Sequence, residues 1–180
     1  SHLSAAGLYE QRLATRPEVQ RTSQVRWLTQ PAEAIALIKQ AAASGQCICW
    51  IRNTVDEALE SYRQLLNSGD IPEDDMLLFH SRFAFADRMS IEDNTLSWFG
   101  KEAPSEARRG KVLIATQVVE QSLDLDFDYM ISDLAPIDLL IQRAGRLQRH
   151  IRDAEGNFKG RGDDERPAPV LYVLAPEWRD

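Results

Sequence analysis

Val112-Leu113-Ile114-Ala115-Thr116-Gln117-Val118-Val119-Glu120-Gln121-Ser122-Leu123-Asp124 joins a short apolar run to a polar one. Val112 to Ala115 reads as a buried β-strand, because the run is short, apolar and bounded by polar residues. Thr116 then stands at the strand's end, at a junction with whatever follows. Working outward, the same kind of junction recurs. Cys47 to Arg52 reads as a buried strand, and Asn53-Thr54 after it offers a cap for a helix over Val55 to Leu66, with Gly69 and Pro72 beyond. Met76 to His80 is a short strand; Ser81-Arg82 follow, and a helix over Ala84 to Phe99 ends at Gly100. Val19 to Leu28 is a first strand, and Pro31 opens a helix to about Ser44, with Gly45 as its stop. Lys101 to Gly110 is a polar loop. Tyr129 to Ser132 is a strand, Pro136 begins a helix that runs to about Arg149, and Val170 to Leu174 is a last strand. Asp153 to Pro169 is rich in Gly, Asp and charge without a period, which predicts a mobile loop. Strands alternating with helices imply right-handed βαβ crossovers, hence an α/β domain with a mostly parallel sheet flanked by helices on both faces. Ligands of such sheets bind beyond the carboxyl ends of the strands, so the chemistry is expected just after them.

The chain has 180 residues, enough for one domain with a full core. We divide it into a lead-in over 1–16, where Ser1-His2 reads as a tag remnant, and a domain over 17–180; the start without Met suggests an excised piece. No apolar run approaches the ~20 residues of a membrane span, and no signal peptide is seen, so a cytoplasmic setting without membrane contact is expected. Cys47 and Cys49 sit two apart in a strand, on one face, which disfavours a disulfide between them and suits free thiols in a reducing compartment. With no histidine near them they make no zinc site. The net charge of −7 argues against a wholly basic nucleic-acid-binding surface, so any such contact must be local.

The charge is patterned. Glu120, Asp124, Asp126, Asp128, Asp133 and Asp138 fall in a stretch without Lys or Arg, and a basic run follows directly: Gln142-Arg143-Ala144-Gly145-Arg146-Leu147-Gln148-Arg149-His150, with Arg152 beyond. At about 100° per residue, Gln142, Arg146 and Arg149 line one stripe of a helix, and Ile137, Leu140, Ala144 and Leu147 line the opposite one. One face would pack on the sheet while the other holds forked guanidinium groups toward an anion such as a transferring phosphoryl group. Gly145 costs such a helix about 1 kcal/mol against alanine, which points to close approach of a backbone or ligand. A solvated basic face is the plainer reading of the same stripe.

The strand ends carry two readings each. Thr116 is either a phosphate-binding hydroxyl beside backbone N–H groups or a helix cap, and Asp124 is either an acceptor for ribose hydroxyls or a turn residue. Asn53-Thr54 is a cap or a contact; His80-Ser81-Arg82 is a loop or a phosphate-binding point with Arg82 as its cation. No Gly-x-x-x-x-Gly-Lys-Ser/Thr loop occurs. Asp56-Glu57 lies in the first turn of a helix, where acids favour the positive end of the dipole, and not at a strand end where a magnesium ligand would stand. Cationic fingers without a phosphate cradle look like half of a two-domain ATPase.

On these motifs the chain resembles the second RecA-like domain of superfamily 2 helicases, and more narrowly the CRISPR-associated helicase–nuclease of type I interference systems. Ala115 to Asp128 is similar to helicase motif V in that family's form, Gln142 to His150 to motif VI, Trp50 to Val55 to motif IV, and Leu78 to Phe83 to the motif after it. Together they span about Val19 to Leu174. Ser122 replaces a glycine common in other superfamily 2 helicases, and Gln148 stands where the family often has His. The resemblance implies that ATP and Mg²⁺ bind mainly on a first RecA-like domain, with no metal site in this chain. Arg146 and Arg149 would act as arginine fingers, Gln142 would orient water or the γ-phosphate, Asp124 would hold the ribose, and Arg143, grouped with the nucleotide site, would serve in structure or in coupling between domains. Asn53, Thr54, His80, Ser81, Arg82 and Thr116 would line a single-stranded DNA track. It further implies 3′ to 5′ translocation, a nuclease domain in the same parent chain, and recruitment by an RNA-guided surveillance complex. A helicase of another family would share motif VI but not the long Gln117–Asp128 run. A non-enzymatic RecA-like module would be expected to break the arginine stripe.

Overall fold

The computed structural model describes residues 13–14, 22–120 and 123–176. The expected lead-in falls outside these apart from residues 13 and 14, as do residues 19–21 of the expected first strand and Ser122. The elements in chain order are β1 (Leu13–Ala14), β2 (Thr22–Leu28), α1 (Pro31–Ala43), β3 (Ile48–Ile51), α2 (Val55–Ser68), β4 (Met76–Phe79), α3 (Phe85–Phe99), α4 (Ser105–Arg108), β5 (Val112–Ala115), β6 (Tyr129–Asp133), α5 (Ile137–Ala144) and β7 (Val170–Leu174). They form one sheet of order β1-β2-β7-β6-β3-β5-β4, parallel throughout except for the antiparallel β1 edge.

Strict alternation in the central strands feeds two cores. Ile48 and Trp50 of β3 pack with Ala34, Ile38 and Ala41 of α1 and with Ala58 and Leu65 of α2. Cys47, Cys49 and Ile51 face the other way, against Phe99 of α3 and Leu140 and Ala144 of α5. Each fully buried aliphatic side chain contributes about 1.5–3 kcal/mol, so β3 and β5, buried on both faces, anchor the sheet. Both cysteines are free and buried; burial foremost, then the charge of Asp128, pushes the Cys47 thiol up to about 12, which leaves it protonated and unreactive.

Two expectations are corrected. The basic helix does not reach Arg149: α5 ends at Ala144. Gly145 closes it, and the chain turns to bridge Phe127, with the Phe127 N–H donating to the Arg146 carbonyl (2.9 Å) and the Gln148 N–H to the Phe127 carbonyl (2.7 Å). Gln148 adopts a φ of 48° to make that turn. Lys101 to Gly110 is not all loop, since α4 forms one turn behind Pro104 and buries Arg108. The stretch 153–169 has no helix or strand, and ion pairs join it to the sheet. Arg166, 3% exposed at its side chain, reaches from it to Asp126 (3.1 Å) and Asp128 (3.0 Å).

Candidate functional site

Because β2 to β7 run parallel, Asn53 after β3, His80 after β4, Thr116 after β5 and Asp133 at the end of β6 all meet on one edge of the sheet. Asp133, only 5% exposed, organises its middle. Its carboxylate accepts from the Trp50 indole N–H (3.2 Å), the Arg52 Nε–H (3.0 Å) and the Asn53 backbone N–H (2.9 Å). The Asn53 side chain then donates to the Leu134 carbonyl (3.1 Å), tying the loop after β3 to the loop after β6. Neither Asp133 nor Arg52 was singled out from sequence; the signal was an acid at the end of an apolar strand.

Thr54 is the cap of α2. Its hydroxyl accepts from the Glu57 N–H (3.2 Å) and donates to the Glu57 carboxylate (3.0 Å), which makes it a cap whatever else it does. His80 is buried at 7% exposure, its Nδ1 accepts from the Arg82 N–H (3.1 Å), and its ring stacks on Phe83 at 4.1 Å. Burial and the Arg82 charge both lower its pKa, so it stands neutral on this edge. Ser81 and Arg82 are exposed, and Arg82 pairs loosely with Asp56 (3.1 Å) in open solvent. Thr116 is 5% exposed: its N–H donates to the Phe79 carbonyl (3.1 Å), and its carbonyl accepts from Val119, opening the 3₁₀ turn Gln117–Glu120. Asn53, Thr54, Ser81 and Arg82 are therefore the exposed members of the expected track, while His80 and Thr116 are buried.

The four arginines of the basic run divide into two pairs. Arg143 is 1% exposed, and its guanidinium donates to the Glu120 carboxylate and to the Ser132 hydroxyl (2.8 Å). Arg152 is fully buried, donating to Asp126 (2.7 Å) and to the carbonyls of Gly100, Lys101, Ala103 and Gly156. These two bind elements together, and the nucleotide-facing role considered for Arg143 does not suit its interior position. The outer pair stays near the surface. Arg146 is half-buried, donates to the Glu120 carbonyl, and keeps a buried Nε–H without a partner. Burial first, and then the neighbouring Arg149 charge, lowers its pKa. Arg149, one-third exposed, pairs with Asp124 (3.1 Å), whose same oxygen meets the His150 Nε2 (2.9 Å). Gln142 is exposed on the last turn of α5, and its carbonyl accepts from Arg146 (3.4 Å). Gln142, Asp124, Arg146 and Arg149 are thus brought together, although a turn and not a helical stripe does it.

Beneath this group lies a charge cluster. Asp126, at 0% exposure, takes Arg152, Arg166 and the Arg149 N–H (2.9 Å). Asp128 takes Arg108 (3.3 Å), Arg166 and the Cys47 N–H (2.9 Å). Burial alone would raise the Asp128 carboxyl, but Arg108, the Cys47 amide and Arg166 outweigh it and hold it below the usual range. The adjoining acidic and basic runs were the sequence signal for this cluster. Among the described residues, no helix is long and apolar enough to cross a membrane, and no group of three or more His, Cys, Asp or Glu could hold a metal ion.

The family described as CRISPR-associated nuclease/helicase Cas3, C-terminal, matches residues 44–152. The chain is similar to the CRISPR-associated endonuclease/helicase Cas3 of Escherichia coli (strain K12), 47% identical over 139 residues, which are 76% of this chain and 14% of that protein. It superposes on the structure described as T. fusca Cas3-ATP with a TM-score of 0.74 and 36% identity, over 92% of this chain and 19% of that one. It also superposes on a chain of a CRISPR RNA-guided surveillance complex in a pre-nicking state, with a TM-score of 0.70 and 38% identity, over 89% of this chain and 19% of that one. This chain therefore spans less than a fifth of the length of these relatives.

Proposed function

This chain belongs to the CRISPR-associated nuclease/helicase Cas3 family, as its C-terminal RecA-like helicase domain, and on that premise we propose that it is the second motor domain of an ATP-dependent single-stranded DNA translocase. One observation carries this reading. Of the four arginines, the two with the spacing of fingers, Arg146 and Arg149, keep guanidinium groups near the surface beside Gln142 and Asp124, while Arg143 and Arg152 are consumed inside. The unpartnered Nε–H of Arg146 supports an anion here: a buried cationic donor without an acceptor suits a site completed by a phosphate.

When bound between two RecA-like domains, ATP would supply the γ-phosphoryl group and Mg²⁺ would offset the negative charge of its phosphates. Arg146 and Arg149 then stabilise the charge that develops on the transferring group. Gln142 orients the attacking water, and Asp124 holds a ribose hydroxyl. Arg149 and Asp124 touch in the present geometry, whereas the γ-phosphate and the ribose lie at opposite ends of the triphosphate. Nucleotide binding must therefore open the Asp124–Arg149 pair, and domain closure is the event that does so. Opening and closing of the two lobes moves DNA along Asn53, Ser81 and Arg82, beside His80, Thr54 and Thr116. The cytoplasmic partners in this reading are the first RecA-like domain and the nuclease domain of the parent chain, single-stranded DNA, and an RNA-guided surveillance complex.

Steady-state ATPase measurements on this chain by itself test the half-site. The expected result is no DNA-stimulated turnover above the buffer rate, since the sequence carries no phosphate-binding loop. DNA-stimulated hydrolysis that disappears in Arg149→Ala would show a complete site in this chain and overturn the division. The DNA track has its own measurement. In the full-length parent, Arg82→Ala should weaken binding of single strands irrespective of sequence and reduce the magnitude of the log-affinity against log-salt slope by about 0.7, the increment of one phosphate contact. Fluorescence anisotropy of a labelled oligonucleotide across a salt series reads both. An unchanged slope would remove Arg82 from the track.

A further inference from the structure

Phe158 lies in the tethered stretch that follows the basic run, and neither the motor motifs nor the core uses it. Its ring is 42% exposed. Three neighbours hold it in place. The Arg152–Phe158 bridge closes a turn around it, the His150 ring meets its edge at 6.2 Å and 80°, and the Lys101 ammonium sits over its face at 5.1 Å. Gly160 folds back against the ring with a φ of 76°; a Cβ there would stand 3.3 Å from the Phe158 Cζ. The left-handed φ of Gly160 thus lets the backbone approach the ring at its Cζ and Cε1 edge.

The position of this ring is what matters. His150 Nε2 is 2.9 Å from the Asp124 carboxylate, so Phe158 borders a direct partner of Asp124. If Asp124 holds a ribose hydroxyl, the base is close by, because the carbon bearing the 2′-hydroxyl is bonded to the carbon bearing the base. The phosphates leave the ribose toward Arg146 and Arg149. A base needs a flat apolar surface, and Phe158 is the exposed ring in contact with this shell. We propose that Phe158, with His150 at its edge and Lys101 at its face, forms the seat on which the purine base of the nucleotide stacks. This rests on the nucleotide-binding role proposed for Asp124 and Arg149. It assigns base recognition to a loop outside the motor motifs, with the triphosphate read by α5 and the turn after it.

The test uses the full-length parent enzyme and a nucleoside diphosphate carrying 2-aminopurine, whose emission falls on stacking. The expected result is quenching on binding to the unaltered enzyme, loss of most of that quenching in Phe158→Ala with roughly tenfold weaker binding, the scale of one base–aromatic stack, and recovery of both in Phe158→Tyr. Competition by inorganic pyrophosphate, which has no base, should be unchanged in Phe158→Ala. Two results overturn the seat: quenching in Phe158→Ala equal to that of the unaltered enzyme, or pyrophosphate and nucleotide weakened alike, which would make Phe158 a structural prop. ATP turnover of Arg149→Ala separates the two levels. If Arg149→Ala abolishes turnover while Phe158→Ala binds the probe normally, the seat alone is lost; if Arg149→Ala turns over normally, the motor reading beneath it falls.

Discussion

Replacing Arg149 or Arg146 by alanine in the full-length parent should lower ATP turnover by roughly three decades or more, the effect of removing an arginine finger. ATP binding should change far less, because the charge these groups meet develops in the transition state. Arg149→Lys should not rescue turnover. An ammonium cannot reproduce the planar fork that pairs with Asp124 and that we propose meets a phosphoryl oxygen. Arg143→Ala serves as the contrast. It should lose stability, because Arg143 is 1% exposed and its guanidinium holds Glu120 and Ser132. Single-turnover kinetics with saturating ATP decide the matter, and near-normal rates in both Arg146→Ala and Arg149→Ala would reduce this pair to a solvated face.

The largest loss of stability is expected from Asp126→Ala. Asp126 is fully buried and receives two guanidinium groups, those of Arg152 and Arg166, together with the Arg149 amide. Removing it takes from the buried Arg152 the carboxylate that its Nε–H meets, and from Arg166 one of three carboxylates, Asp128 and Asp164 remaining. Breaking a buried pair in this way costs about 3–5 kcal/mol, a large share of the stability of a domain of this size. Denaturant unfolding should show a sharply lower midpoint at an unchanged slope. Asp56→Ala, which breaks only the solvent-exposed pair with Arg82, should leave the midpoint where it is. Equal effects of the two substitutions would mean that the cluster under the basic run does not hold the 153–169 stretch in place. The same cluster joins that polar stretch to the sheet: Arg166 carries it to Asp126 and Asp128, and Arg152 receives it through the Gly156 carbonyl.

Local patterns made most of the architecture legible. Four-residue apolar runs such as Val112–Ala115 and Ile48–Ile51 have little choice but to be doubly buried strands, and the helices between them are marked by Pro31, Thr54, Gly69 and Gly100 at their ends. Parallel order, helices on both faces and chemistry at the strand ends follow from that alternation, because a crossover between parallel strands must pass over a face of the sheet. That Gln142, Arg146 and Arg149 lie near one another was also legible, since spacing within a short segment limits which side chains can meet; Asp124 joins them through the fold.

What the sequence could not say is how that segment is held. A basic run reads the same whether its arginines point at solvent, at a phosphate or into the core, because guanidinium charge is visible in the letters and its counter-charge is not. Only the fold, by bringing Glu120 and Ser132 to Arg143, and Asp126 and the α3–α4 carbonyls to Arg152, divides the four arginines into two that bind the domain together and two that stay near the surface. The length of α5 was decided in the same way. Helical spacing runs on past Gly145, but a bridge to Phe127 and burial of Leu147 outweigh one more helical turn, a choice made by residues some twenty positions away that no local period records.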